Sequence, residues 1–248
     1  MRMEGQKIKV VVNGAKGKMG KETVQAVSRE SDMVLAGEAD LGDDLARVIR
    51  EAGADVVVDF TEPACAYRNA QIMAESRAGG VIGTTGFKPE EIQALEASCR
   101  EKQPGILIAP NFSIGAVLLM KMAQMAARFI SDVEIIELHH PGKKDAPSGT
   151  AIKTAEMIAE AFGTGHVPRG TSSGLALGEK HFGIPIHSIR LPGLLAHQEV
   201  LFGAEGQTLL IRHDALSRSS FMPGVVLAIR EVMKRPGFIY GLDALLFS

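Results

Sequence analysis

The chain has 248 residues, a formal net charge of −2 and 46% hydrophobic residues. That length accommodates one large domain or two modest ones with separate cores, and the apolar content excludes long disordered stretches. The near-neutral charge excludes a sequence-wide electrostatic grip on nucleic acid or an anionic membrane. No run of 18 apolar residues is present to span a bilayer. The N-terminal stretch MRMEGQKIKVVV enters a strand pattern too early to read as a secretory signal. Cys65 and Cys99 lie far apart in segments patterned as amphipathic helices, so they form neither a disulfide framework nor a zinc motif. Reducing cytoplasm is the expected compartment.

In chain order, residues 8–12 read as a strand, followed by a helix from about Met19 with Val24 and Val27 inward. A second strand at 34–36 leads to Asp40, and Leu45, Val48 and Ile49 mark a short helix. Residues 54–60 (ADVVVDF) are a β-branched run without alternation, as in a strand buried on both faces. A helix from Pro63 to about Arg77 follows, then a strand at 80–83, a helix at 89–100 and a strand at 106–109. Five strands with intervening helices predict a Rossmann-like, doubly wound parallel sheet.

After Pro110 the rhythm changes. A helix at 114–130, with Met120, Met122 and Met125 as core filler, precedes a strand at 133–139 and a helix at about 149–162. Residues 163–183, rich in Gly, Ser and Thr, read as a long exposed loop. Strands at 184–191, 197–202 and 208–212 without crossovers predict a smaller α+β domain with a mixed or antiparallel sheet. A helix at 222–234 and a short apolar tail complete the chain. The expected partition is 1–110 with 220–248, and 111–219 as the second domain.

Two segments carry chemistry. Gly14, Ala15, Lys16, Gly17, Lys18, Met19 and Gly20 join the first strand to the first helix. Glycines there let backbone amides approach a pyrophosphate at the helix start, and an acid twenty residues on, Asp40, suits ribose hydroxyls. The spacing G-x-x-G-x-x-G departs from the usual fingerprint, and no Arg near Asp40 meets a 2′-phosphate, although Lys16 and Lys18 supply charge. NADH is therefore expected to serve well and NADPH to be tolerated. Gly83, Thr84 and Thr85 follow the fourth strand, and Ala109, Pro110, Asn111 and Phe112 follow the fifth; both sets face the carboxyl edge, with Asp59 and Phe60 supporting the same crevice.

The second segment is ELHHPGKKDAPSGT, residues 137–150, between a strand and a helix. Ser148 is placed to cap that helix, with Gly149 and Thr150 in its first turn. Its amides suit a substrate carboxylate, Lys143 neutralises it, and an adjacent histidine is a natural proton donor. His139 and His140, adjacent on a strand, point to opposite faces and make poor joint ligands, so no metal is expected. Arg190, His197, Arg212, His213 and Arg218 are further cations for such a pocket.

On GAKGKMG, DFTEP, GTTGF, APNFSIGA, ELHHPGKKDAPSGTA and HQEVLFGAEGQTLLIRHDALSR, in that order, the whole chain resembles the 4-hydroxy-tetrahydrodipicolinate (dihydrodipicolinate) reductase family. The resemblance implies a dinucleotide-binding domain completed by the C-terminal helix, an inserted substrate and oligomerisation domain, and a homotetramer. It implies hydride transfer from NADH or NADPH to C4 of a cyclic imine with loss of water, in the diaminopimelate route to lysine. By motif position His139 looks like the general acid and Lys143 its partner, as proton donor or electrostatic stabiliser. His140, Ser148, Gly149 and Thr150 then hold the substrate carboxylate. Gly14 to Met19, Asp40, Gly83 to Thr85 and Ala109 to Phe112 hold the dinucleotide. The alternatives are another NAD(P)-dependent small-molecule dehydrogenase and a non-catalytic nucleotide sensor.

Overall fold

A computed structural model describes residues 6–102, 104–162 and 175–247. The chain forms two compact units, Met1–Phe112 with Phe221–Ser248, and Ser113–Ser220. The first unit runs β1 (Ile8–Asn13), α1 (Lys18–Arg29), β2 (Met33–Ala39), α2 (Leu45–Ala52), β3 (Val56–Asp59), α3 (Pro63–Ser76), β4 (Gly79–Ile82), α4 (Pro89–Lys102) and β5 (Gly105–Ile108). The second holds α5 (Ile114–Ala127), β6 (Asp132–His139), α6 (Gly149–Phe162), β7 (Glu179–His181), β8 (Ile184–Arg190), β9 (Ala196–Ala204) and β10 (Gln207–Ala215). The chain then returns to the first unit with α7 (Met222–Val232), β11 (Gly237–Tyr240) and α8 (Asp243–Leu246).

The first sheet has the order β11-β5-β4-β3-β1-β2, with every pairing parallel. Val56, Val57 and Val58 are wholly buried, as strands covered on both faces require. The two coverings are visible at neighbouring glycines of β4. A Cβ on Gly80 would meet Met73 of α3, whereas one on Gly79 would meet Val232 of α7. On the α3 side, α2, α3 and α4 bury Leu45, Ile49, Ala70, Leu95 and Cys99 in one core with Val11, Val57 and Ile106. On the other side α1 packs against α7. Helix ends follow local chemistry: the Asp44 side chain accepts from the Arg47 amide at 3.1 Å, and Pro63 opens α3.

The sequence-based expectation of five parallel strands is one short. The apolar tail contains β11, which pairs in parallel with β5 through Phe238↔Ile106 and Ile239↔Leu107. Its three-residue apolar run is half-buried at Phe238 and Ile239 and exposed at Tyr240, so it lacks the pattern of an inner strand.

The second sheet is mixed, in the order β10-β9-β6-β8-β7; β6 and β8 are parallel and the other pairings antiparallel. Helices α5 and α6 pack on one face. Alternation on β6 turns Val133, Ile135 and Glu137 to the buried side and exposes Asp132 and Glu134. Of the expected 163–183 loop, residues 163–174 lie outside the described residues. Residues 179–181 are strand β7, pairing antiparallel with β8 at Lys180↔Pro185. The methionine expectation holds for Met120 alone: Met122 and Met125 are exposed, because α5 buries one face only. Among the described residues no helix is long and apolar enough to cross a membrane.

Candidate active site

In the first unit, β1 hands the chain to α1 through a turn packed on itself. Gly14 has φ +79°, and a Cβ there would lie 2.7 Å from the Phe60 carbonyl oxygen. A Cβ on Gly20 would lie 2.0 Å from the Gly14 oxygen, so the first turn of α1 sits directly on the loop. Asp40, just past β2, clamps that turn: Oδ2 accepts from the Lys16 amide at 2.7 Å and Oδ1 from the Leu41 amide at 2.9 Å. These two amides hold the Asp40 carboxyl below its usual value. Lys16 and Lys18 are exposed, Met19 is half-buried and Ala15 is buried.

A pocket of about 730 Å³ opens beyond the carboxyl ends of β1 and β3, the edge where open parallel sheets take ligands. Asn13, Gly14, Gly17, Asp40, Phe60, Thr61 and Asn69 line it, together with the 41–45 loop, Glu62, Cys65, Arg68 and Ile72. Its described lining has the carboxylates of Asp40, Asp43, Asp44 and Glu62 against the single cation Arg68. The volume, the glycine-built floor and the ribose-type acid fit a dinucleotide's adenosine half.

The floor hangs on Asp59, which is wholly buried. Its carboxylate accepts from Asn13 Nδ2 at 2.7 Å, Asn69 Nδ2 at 2.8 Å, Thr61 Oγ1 at 2.7 Å and Thr84 Oγ1 at 3.1 Å. One side chain thus ties the end of β1, the loop after β3, α3 and the loop after β4. Thr84 is turned into this hub and does not line the pocket, whereas Thr85 is exposed. Gly83 is needed for a different reason: a Cβ would strike the Phe60 ring at 2.1 Å. After β5, Ala109 and Phe112 are buried, Asn111 is half-buried and Pro110 exposed. Phe112 meets Phe60 edge-on at 5.7 Å between ring centres. Of the dinucleotide residues expected from sequence, Gly14, Gly17 and Asp40 line the pocket directly.

In the second unit, His139 ends β6, with Glu137 two residues before it on the same face. Glu137 is wholly buried, and its Oε2 bonds the His139 ring at Nδ1. Arg190, opposite His139 on β8, donates to Glu137 from both terminal nitrogens at 2.8 and 3.0 Å. Burial pushes the Glu137 carboxyl up, and the hydrogen bonds from His139, Arg190 and Ser188 outweigh it, bringing it down to about 2.

Arg190 also donates to the Asp145 carbonyl at 2.7 Å, fastening the loop that carries the lysines. Within that loop the Lys143 amide donates to the His140 carbonyl at 3.1 Å, and Lys143 Nζ donates to both Asp145 oxygens at 2.8 and 2.9 Å. The loop contains a cis Ala146–Pro147 bond and leads into α6. Ser148, buried, accepts from the Ala151 amide at 3.2 Å and so caps the helix. Gly149 is exposed and Thr150 half-buried in the first turn, where opening amides lack intrahelical acceptors. A Cβ on Gly149 would meet nothing within 4 Å.

Of the remaining cations, only Arg190 joins this cluster. His197 Nδ1 bonds Asp214 at 2.6 Å, Arg212 pairs with Asp214 and Glu199, and His213 bonds Ser113 at 3.1 Å. Burial holds the His213 imidazole below its ordinary value. Sequence reasoning gave Glu137 no role; the available signal was its i, i+2 spacing from His139 on a strand.

A Rossmann-like unit with a ligand pocket is joined in one chain to a mixed-sheet unit bearing a His–Lys loop. The amine dehydrogenase from Mycobacterium smegmatis has a similar fold, with a TM-score of 0.61 at 15% identity over 95% of each chain. The family model described as dihydrodipicolinate reductase, N-terminus, matches residues 8–112, and that described as dihydrodipicolinate reductase, C-terminus, matches 115–246. The chain belongs to this family, and it is a reductase of diaminopimelate and lysine biosynthesis. It is 50% identical over 96% of its length to the 4-hydroxy-tetrahydrodipicolinate reductase of Coxiella burnetii, and 45% identical to that of Dehalococcoides mccartyi over the same share; the matches cover 99% and 98% of those proteins. A dipicolinate-bound dihydrodipicolinate reductase from Paenisporosarcina sp. TG-14 superposes with a TM-score of 0.87 at 39% identity, covering 97% of this chain and all of that one.

Proposed function

We propose that the chain reduces 4-hydroxy-tetrahydrodipicolinate to tetrahydrodipicolinate and water, with NADH as the better hydride source and NADPH tolerated. The carrying observation is the His139–Lys143 loop running into the opening turn of α6, in a chain half-identical to reductases of that name. The bound dinucleotide supplies the hydride. Gly14 to Met19, Asp40, Gly83 to Thr85 and Ala109 to Phe112 form its site, several of them by shaping the floor. In the described pocket lining four carboxylates stand against one cation, which favours a ribose hydroxyl over a 2′-phosphate.

A dianionic ring needs fixed positive charge and N–H donors. Lys143 supplies charge, and Ser148, Gly149 and Thr150 present the start of α6 to a carboxylate, with His140 beside them. His139 donates the proton that completes the reduction. Ile189, Leu201 and Leu210 are exposed on the sheet face away from α5 and α6, which supports self-association into a homotetramer.

The test is a coupled assay with freshly generated 4-hydroxy-tetrahydrodipicolinate, following NADH and NADPH oxidation in parallel. Turnover with both and a higher kcat/KM for NADH is the expected result. Binding of NADH without turnover would instead favour a nucleotide sensor.

A further inference from the structure

His139 stands on a buried ion pair. Glu137 reaches its Nδ1, so Nε2 is the ring nitrogen this carboxylate does not engage. The same carboxylate takes both terminal nitrogens of Arg190, and Arg190 in turn holds the Asp145 carbonyl of the lysine loop. The arrangement links the proposed acid and the proposed charge donor through one carboxylate and one guanidinium.

We propose that Glu137 and Arg190 are positioning residues of the reduction: Glu137 orients His139 through Nδ1 and sets a fixed negative charge against it, and Arg190 couples that ring to the Lys143 loop. The inference rests on the reading of His139 as the acid. A carboxylate hydrogen-bonded to imidazole favours the imidazolium, and a carboxylate buried without a partner would be strongly disfavoured, so Arg190 keeps Glu137 ionised when the ring is neutral.

Among the described residues the charges around His139 are few. From β8 comes Arg190, from β6 itself Glu137, and from the loop Asp145, which pairs with Lys143. The β9 residue opposite is Ala196, with neutral Gln198 opposite Glu137, and the α6 turn starts with uncharged Gly149 and Thr150. With Glu137 ionised, two anions balance two cations. Without it the two cations face the single remaining anion, Asp145.

The experiment is Glu137→Gln in the full chain, with kcat followed against pH and His139 titrated by ¹⁵N NMR. The expected result is a basic limb of kcat displaced about one pH unit downward, a fall in kcat of about tenfold at pH 8, and unchanged dinucleotide affinity. A merely structural Glu137 would alter stability and leave the limb in place. Because Gln leaves Arg190 buried without its anion, Glu137→Gln combined with Arg190→Met gives a second measurement of the same limb. Glu137→Asp should bring it part of the way back. A limb and a His139 titration both matching wild type in these variants overturn the proposal. His139→Asn separates the two readings. If it retains wild-type kcat, the acid assignment fails and this inference with it. If it abolishes turnover while Glu137→Gln behaves as wild type, only the role of Glu137 fails.

Discussion

Among the described residues the two units each bury one carboxylate, and they hold it in opposite ways. Asp59 in the first unit is surrounded by two carboxamides and two threonine hydroxyls, all neutral. Glu137 in the second is gripped by a guanidinium and an imidazole. Neutral donors cannot change charge near pH 7, so the Asp59 hub can only hold geometry: it fixes the loops that floor a pocket. One partner of Glu137, the His139 imidazole, is titratable, so the charge of this cluster can change. On the reading of His139 as the acid, the difference separates a unit that binds from a unit that does proton chemistry.

The contrast is broken most directly at His139. His139→Ala should lower kcat by about 10²–10⁴-fold while dinucleotide affinity, read by fluorescence titration, stays within about twofold. Unchanged kcat would remove the proton chemistry from the second unit. Lys143→Ala should lower kcat/KM by about 10²-fold, through both kcat and KM; a change in KM alone would reduce Lys143 to a ground-state binding charge.

On the binding side, Asp59→Asn places an amide donor against Asn13 and Asn69. Loss of about 3 kcal/mol in denaturant unfolding is expected, with weaker dinucleotide binding and unchanged pH dependence of kcat. A shifted pH profile would erase the distinction between the two carboxylates. Gly20→Ala should cost about 1–3 kcal/mol, since the new methyl meets backbone that cannot yield, and calorimetry should register lost dinucleotide affinity too.

The smallest effect is on acid stability. Folding lowers the Glu137 carboxyl from 4.5 to about 2, so its stabilising contribution is complete above about pH 4.5 and disappears as pH falls toward 2. Wild type should lose more melting temperature across that window than Glu137→Gln; parallel curves would contradict the ionised cluster.

Where structure is local in the chain, it was legible from sequence. The buried β-branched runs announced the inner strands of the first sheet, the Gly14–Gly20 run the turn that lines its pocket, and residues 137–150 the polar loop between β6 and α6. What escaped is what distant segments build together. The Asp59 hub draws donors from positions 13, 61, 69 and 84, and nothing in their spacing shows that they converge. Arg190 reaches Glu137 across 53 positions only because β6 and β8 pair in one register. Strand β11 was hidden because an edge strand needs only half-burial, and Met122 and Met125 misled because an Ala- and Met-rich helix looks apolar all round.

The interrupted path of the first unit also sets an order on its biogenesis. β5 gains its outer neighbour only when residues 237–240 arrive, after the entire second unit has left the ribosome. Through that interval the nascent sheet carries a raw apolar margin at 105–108, open to any extended segment nearby. The last strand is therefore a seal against aggregation, and a chain released short of it would be a client for chaperones.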